Sequence, residues 1–432
     1  MSIDHQHTGA DQALRQRADG LDAQDPLAPY RDHFIGTDTP LSYLDGNSLG
    51  RPLKRTADDI AAFIRDEWGG RLIRGWDEKW LGLPQAIGDQ LGRAVLGAAP
   101  GQTIIADSTT VVLYKLIRAA LAAVADPERN ELVLDTENFP TDRYLVEGIA
   151  LEEGLTLRWI ETDPAAGVTV EQVREATGPR TAVVLLSQIA YRSGHLADLA
   201  GITKAVHDAG ALVVWDLCHS AGSVEINLDG ADVDFAAGCT YKYLNGGPGS
   251  PAFAYVNQRH LPSLNQPIWG WMGRKDAFDM AAGYEPAPGI RGFLSGTPAI
   301  FGMLAMQGTL DLIEEASMAA IRTKSEMLTA FAVEIFDAWL APLGARLASP
   351  REPGERGSHI TVDHPDFTKA TVEDLWDGDV IPDFRAPHGI RVGLSPLSTS
   401  FGEVLQGMAA IRDRLQGWQA RRPAPPHSVS TG

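Results

Sequence analysis

Lys242 stands in the run Thr240-Tyr241-Lys242-Tyr243-Leu244-Asn245-Gly246-Gly247-Pro248-Gly249, between an apolar stretch and a glycine-rich turn. A lysine amine at the mouth of a strand, shielded by its neighbours, suits imine formation with an aldehyde. A lysine beside a Gly-Pro turn is more often a solvated loop residue, so the remaining polar residues decide between the two. Asp216 closes the apolar run Ala211-Leu212-Val213-Val214-Trp215, His219 follows three residues on, and Ser187 closes the run from Ala182. An aspartate beside a pyridine nitrogen keeps that nitrogen protonated, which lets the ring accept electrons from a substrate carbon. Taken alone, Asp216 could equally be a helix N-cap, and His219 a packed core histidine.

Asp107-Ser108-Thr109-Thr110 precedes the helical pattern from Val111 to Leu121. Hydroxyls and free backbone N–H groups at a helix N-terminus form a phosphate cup. A plain Ser/Thr cap explains one hydroxyl but not the cluster. No GxGxxG or Walker loop competes for a phosphate. An aldehyde, a protonated ring nitrogen and a phosphate together describe pyridoxal phosphate.

These residues need a scaffold that gathers them. Short apolar runs (Glu131-Leu132-Val133-Leu134-Asp135, Thr181 to Ser187, Ala211 to Asp216) alternate with amphipathic stretches such as Leu199 to Ala209. That alternation predicts βαβ units and a mainly parallel sheet buried on both faces, with ligands at the carboxyl ends of its strands. Beyond Pro298, long helical patterns (Met303 to Ile321, Leu328 to Leu340) lead to strand-like runs at Ser358 to Val362 and Ile390 to Leu394, then a helix from Glu403 to Leu415. These form a smaller α+β domain. The predicted division is a mobile tail (residues 1–30), a segment packing with the small domain (31–75), a large cofactor-binding α/β domain (76–310), the small domain (311–418) and a second mobile tail (419–432).

The chain of 432 residues is 44% hydrophobic, enough for a large core. Its net charge of −19 argues against a nucleic-acid partner or an anionic membrane, so an anionic ligand must meet a local positive pocket. Cys218 and Cys239 are too few and too far apart in sequence for a disulfide framework or zinc ribbon, and they read as small buried hydrophobes in a reducing cytosol. His5 and His7 sit in the polar tail, and no metal site is expected. With no signal-like start and no run of 18 apolar residues, a cytoplasmic protein is expected.

Several motifs occur together in order: Leu44-Asp45-Gly46-Asn47-Ser48-Leu49-Gly50, Asn138-Phe139-Pro140-Thr141-Asp142, Asp216-Leu217-Cys218-His219, the run around Lys242, Gly270-Trp271-Met272-Gly273 and Gly389-Ile390-Arg391-Val392. From about Tyr43 to Gly417 the chain resembles the kynureninase family. The resemblance implies a fold-type-I pyridoxal-phosphate enzyme, usually a homodimer with active sites at the subunit interface. It implies hydrolytic Cβ–Cγ cleavage of L-kynurenine, or a ring-substituted relative, to an anthranilate and L-alanine. Lys242 would hold the cofactor and Asp216 would pair with the pyridinium. Phe139, Pro140, Thr141 and Asp142 would line the ring, and Thr109, Thr110 and Tyr241 its phosphate end. Ser187, His219, Trp271 and Thr297 would add cofactor contacts, the last two from the partner subunit. Arg391 would clamp the substrate α-carboxylate bidentately. Asn47, Ser48 and Trp76 would contact substrate. Tyr241 is also a candidate for moving protons. On the residues alone, Arg391 could be a surface arginine and Trp76 a packing tryptophan.

The chain departs from the family pattern at Pro396-Leu397-Ser398, where Pro-Leu-Tyr is common, and between Ser187 and Gly194; both bear on substrate preference. Two other readings share the scaffold's residues. A class V aminotransferase would keep the same lysine, aspartate and arginine, whereas a desulfurase needs a late cysteine, and none follows Cys239. A non-catalytic cofactor-binding regulator would be expected to carry a basic appendage, which this chain lacks.

Overall fold

The computed structural model describes residues 9–420. The larger sheet contains β2 (Thr103–Ala106), β3 (Glu131–Asp135), β4 (Thr156–Ile160), β5 (Thr181–Ser187), β6 (Leu212–Asp216), β7 (Phe235–Gly238) and β8 (Ala252–Val256), preceded in the chain by the short β1 (Ser42–Tyr43). The spatial order is β2-β8-β7-β6-β5-β3-β4. β8 runs antiparallel to both neighbours and the other pairs are parallel. The carboxyl ends of β2, β3, β5, β6 and β7 therefore share one edge.

Side chains alternate across these strands. Val133, Val184, Leu186, Val213 and Trp215 enter one apolar cluster, while Leu132, Leu134, Val183, Leu185 and Val214 enter another. Burial on both faces accounts for the near-continuous apolar runs.

The second sheet is antiparallel and ordered β12-β13-β10-β9, from β9 (Arg346–Leu347), β10 (His359–Asp363), β12 (Asp383–Arg385) and β13 (Gly389–Gly393). Its helices share a third cluster with Ile360, Val362, Ile390 and Val392. β11 (Val380–Ile381) pairs with β1, carrying the segment around Leu44 onto this unit, whereas Leu53 and Phe63 join the large-sheet cluster. Two helices, Ile300–Ala316 and Met318–Ile335, meet at Ser317, whose positive φ of 71° turns the chain and whose side chain accepts from Ala320 N.

The expected N-terminal tail is corrected by the structure. Residues Gly9–Ala23 form a helix whose Leu14, Ala18 and Leu21 are buried in the cluster of the second sheet. Asp22 accepts from Phe401 N and Gly402 N at 2.8 and 2.9 Å, capping the helix Phe401–Gln419, and Asp25 pairs with the buried Lys324 at 2.7 Å. Three apolar residues at helical spacing among many polar ones give too weak a period to read from sequence. His5, His7 and residues 421–432 of the expected second tail lie outside the described residues.

Candidate active site

β6 ends on Asp216, which is buried; its Oδ1 accepts from Cys218 N at 2.8 Å and its Oδ2 lies 3.2 Å from Ser187 Oγ, at the end of neighbouring β5. The Asp216 to Ala237 register continues past both strands, so Cys218 and Cys239 come side by side, with Cys239 N 3.3 Å from Cys218 Sγ. Both thiols are free and buried. Sequence distance had hidden this proximity.

Lys242 leaves β7 through Thr240, whose hydroxyl lies 2.7 Å from Ser250 Oγ and donates to Pro251 O at 2.6 Å. Its Nζ is buried, 3.3 Å from His219 Nε2 and 5.9 Å from the ring centres of Phe139 and Tyr241. Burial, then the charges of Lys242 and Arg391, hold the His219 imidazole neutral, well below its ordinary range. The Tyr241 phenol is pushed up by burial first and then by the neighbouring thiols, so it can donate but not accept a proton at neutral pH. Gly50 sits directly over this turn: its N–H donates to Tyr241 O at 2.8 Å, and an added Cβ would strike the Lys242 carbonyl.

Pro140, Thr141 and Asp142 form the first turn of the helix Pro140–Glu153, which follows β3. Asp142 is buried, its Oδ2 has no partner, and burial followed by the charges of Asp216 and Asp135 pushes its pKa well up. Asp135, at the end of β3, is also pushed up by burial, to about 7. The helix Thr109–Ala123 follows β2 at the same sheet edge; Ser108 makes no side-chain cap bond, leaving the first amides and the hydroxyls of Thr109 and Thr110 available. Lys115 on that helix is fully buried, paired with Asp107 at 2.5 Å and bonded to Phe293 O at 2.8 Å.

The opposite wall comes from the second, antiparallel sheet and the segment around Ser48. Arg391 is fully buried rather than on a strand surface. Its Nη1 donates to Tyr191 O at 2.7 Å; Nη2 donates to Ser48 Oγ and to Asp383 Oδ2, both at 2.6 Å. The Asn47 amide, with its oxygen toward the guanidinium, accepts from Nε at 3.0 Å and donates to Asp45 Oδ1 at 3.2 Å. Burial and nearby Arg385 pull the Arg391 pKa down to about 10, against Asp383 and Asp45. Burial pushes Asp45 up to about 6 despite Arg391. Arg385 covers the Tyr191 ring at 5.5 Å, and Tyr191 meets Phe139 edge-on at 5.4 Å, which joins the two walls.

Three expected residues lie elsewhere within the chain. Trp76 packs edge-on against Trp80 and lines a cavity of about 390 Å³ with Phe63, Trp68 and Phe301. Trp271 and Thr297 are exposed. Asp45, Asp135, Lys115, His359, Asp383 and Arg385 escaped the sequence reading.

A parallel-edge cluster of this kind on this fold defines an enzyme of the class V aminotransferase type: the family model Aminotransferase class-V matches residues 91–381. Solved structures agree on the fold. The apo cysteine desulfurase of Thermococcus onnurineus NA1 has a TM-score of 0.74 at 18% identity, covering 92% of this chain and 98% of that one. A cysteine desulfurase from Escherichia coli has 0.75 at 18%, covering 90% and 98%. Kynureninase from Pseudomonas fluorescens is 40% identical over 410 residues, 93% of this chain and 96% of that protein. Kynureninase from Burkholderia pseudomallei (strain 1106a) is 40% identical over 413 residues, 94% and 97%. The chain belongs to the kynureninase family.

The residues present fit pyridoxal phosphate. The orphaned Asp142 Oδ2 and the uncapped helix start leave polar groups without partners where a ring and a phosphate would supply them. Among the described residues no group of three His, Cys, Asp or Glu could hold a metal ion, and no helix is long and apolar enough to cross a membrane.

Proposed function

We propose that this protein hydrolyses the Cβ–Cγ bond of L-kynurenine, or of a ring-substituted relative such as 3-hydroxykynurenine, to the anthranilate and L-alanine. The observation that carries this reading is the buried Lys242–His219 pair facing the buried Arg391, within a chain of the kynureninase family. Pyridoxal 5′-phosphate, when bound, supplies the electron sink for the pair left at the substrate Cα.

Lys242 holds the cofactor and then takes and returns the proton at Cα. Asp216 and Ser187 serve the pyridine nitrogen side, while Phe139, Pro140, Thr141, Asp142 and His219 shape the ring pocket. Thr109 and Thr110 offer hydroxyls and amides to the phosphate. Tyr241, kept protonated, donates its O–H there or gives up its proton to a substrate atom. Arg391 receives the α-carboxylate with Ser48 and Asn47 orienting its fork. Because Asp383 occupies part of that fork, the incoming carboxylate must compete with it.

Trp271 and Thr297 are assigned to a shared site in a homodimer, and Trp76 to the aromatic end of the substrate. Exposed Trp68, Leu72, Ile73, Trp271, Phe278 and Phe301 support an apolar interface of that kind. Sedimentation should give twice the 46.5 kDa chain mass; a monomer at working concentration contradicts the shared site. Two free thiols suit a cytoplasmic location.

The test is anthranilate release from kynurenine and 3-hydroxykynurenine side by side, by the wild type and Lys242→Ala. Release from at least one substrate, abolished in the variant, is expected. A wild type that binds the cofactor but releases neither anthranilate rejects the reading.

A further inference from the structure

β12 is an edge strand of the second sheet, and its register against β13 sets Asp383 opposite Arg391. Arg385, two residues along, shares that face. One carboxylate oxygen, Asp383 Oδ2, therefore lies between two guanidinium groups, 2.6 Å from Arg391 Nη2 and 2.5 Å from Arg385 Nη2. The other bonds of Arg391 go to neutral groups: Nη1 to the Tyr191 carbonyl, Nη2 to Ser48 Oγ and Nε to the Asn47 amide oxygen. Asp45 Oδ1 stands off at 3.7 Å. Among the described residues, Asp383 is the one carboxylate hydrogen-bonded to the guanidinium.

The two members of this ion pair differ in access. The Arg391 side chain is 1% exposed and that of Asp383 21%, so a solute approaching the pair meets the carboxylate before the guanidinium behind it. Arg385 is also partly exposed, and its buried Nε has no partner. Its guanidinium lies over the Tyr191 ring at 5.5 Å, and the chain just beyond it is held where Ala386 O accepts from Arg192 Nε at 3.2 Å. Arg385 is thus a second cation, fixed in place, with a donor to spare. Tyr191 in turn meets Phe139, whose ring centre is 5.9 Å from Lys242 Nζ, so the two arginines stand one aromatic layer from the amine.

Resting on the kynureninase reading, we propose that Asp383 closes the Arg391 fork when no substrate is bound, and that an incoming α-carboxylate opens it by taking Nη2 while Asp383 passes wholly to Arg385. Asp383 is then a specificity-determining residue that acts through Arg391. The exchange needs a side-chain rotation alone, because Asp383 already reaches both cations, and it leaves no carboxylate unpaired. A ligand without a carboxylate has nothing to put in place of Asp383, so the fork stays closed to it. Amino acids are admitted, and each binds more weakly than it would to an empty fork. Because the substrate carboxylate does not change during bond cleavage, the exchange affects binding and not the chemical steps.

The test compares affinities in the holoenzyme, with ligand binding read from the change in cofactor absorbance. Asp383→Asn keeps an acceptor of the same shape and removes its charge. Its affinity for L-alanine should rise roughly 3- to 30-fold, the difference between a charged and a neutral acceptor, and KM for kynurenine should fall by a similar factor with little change in kcat. L-Alaninamide, which lacks the anion, should gain nothing. Arg385→Gln removes the group that receives Asp383, so L-alanine should bind more weakly than to wild type. That loss should be nearly absent when Arg385→Gln is combined with Asp383→Asn. A purely structural Asp383 would give the opposite sign, since its replacement would disturb the fork and weaken binding. Unchanged or weaker alanine binding in Asp383→Asn, an equal gain for alaninamide, or an Arg385→Gln loss as large in the double variant overturns the proposal. A wild type that binds L-alanine yet releases no anthranilate overturns the kynureninase reading instead, and the alanine affinities still decide the role of Asp383.

Discussion

Replacing Arg391 with lysine separates charge from geometry at the proposed carboxylate clamp. The guanidinium has Nη1 on Tyr191 O, Nη2 shared between Ser48 Oγ and Asp383, and Nε facing Asn47. A lysine keeps the positive charge opposite Asp45 and Asp383, which limits the structural damage, but it cannot present two parallel N–H groups to a carboxylate. The loss is then one charge-assisted hydrogen bond, about 1.5–3 kcal/mol. That corresponds to a KM for kynurenine raised roughly 10- to 150-fold. Because the clamp holds the carboxylate equally before and during bond cleavage, kcat should stay within about threefold. Steady-state anthranilate release measures both constants, and retained cofactor absorbance reports an intact ring pocket. With kynurenine carboxamide, which lacks the anion, the difference between wild type and Arg391→Lys should nearly vanish. A KM within twofold of wild type for kynurenine, or an equal loss against the carboxamide, would refute the clamp.

Two further outcomes follow from the packing around the site. Gly50→Ala drives a Cβ into the Lys242 carbonyl, so it should lower cofactor affinity at least tenfold, read by equilibrium titration; unchanged affinity would mean the Lys242 turn can move freely. Asp135, raised from 3.8 to about 7 by burial, binds a proton in the folded chain that the unfolded chain has already released above about pH 4. Its contribution to stability therefore falls as pH rises from about 4 to about 7 and is level above. In urea unfolding of the cofactor-free protein, wild type should lose as much as about 4 kcal/mol relative to Asp135→Asn across that window; a constant difference would rule it out.

The strand ends could be read from the sequence because their apolar runs stop on Ser187 and Asp216, and a run buried on both faces leaves few other places for polar residues. The helix start at Thr109 was equally plain from its hydroxyls. What stayed hidden depends on contacts between distant segments. Arg391 could not be told from a surface arginine until β13 was packed beneath Tyr191 and Ser48. His359 lies in an ordinary strand pattern, and its place 5.6 Å from the His219 ring exists only after the two sheets pack together. The pairing of Cys218 with Cys239 arises from strand register, and the helix Gly9–Ala23 from three apolar residues with a ready groove to fill. Trp271 and Thr297 show the converse: motif likeness named them, and within one chain both are exposed.

The most direct test of hydrolytic Cβ–Cγ cleavage is turnover of L-kynurenine by the holoenzyme in ¹⁸O-labelled water, with both products analysed by mass spectrometry. Equimolar L-alanine and anthranilate are expected, with at least one labelled oxygen in the anthranilate carboxylate. A keto acid in place of alanine, or anthranilate free of label, would contradict it.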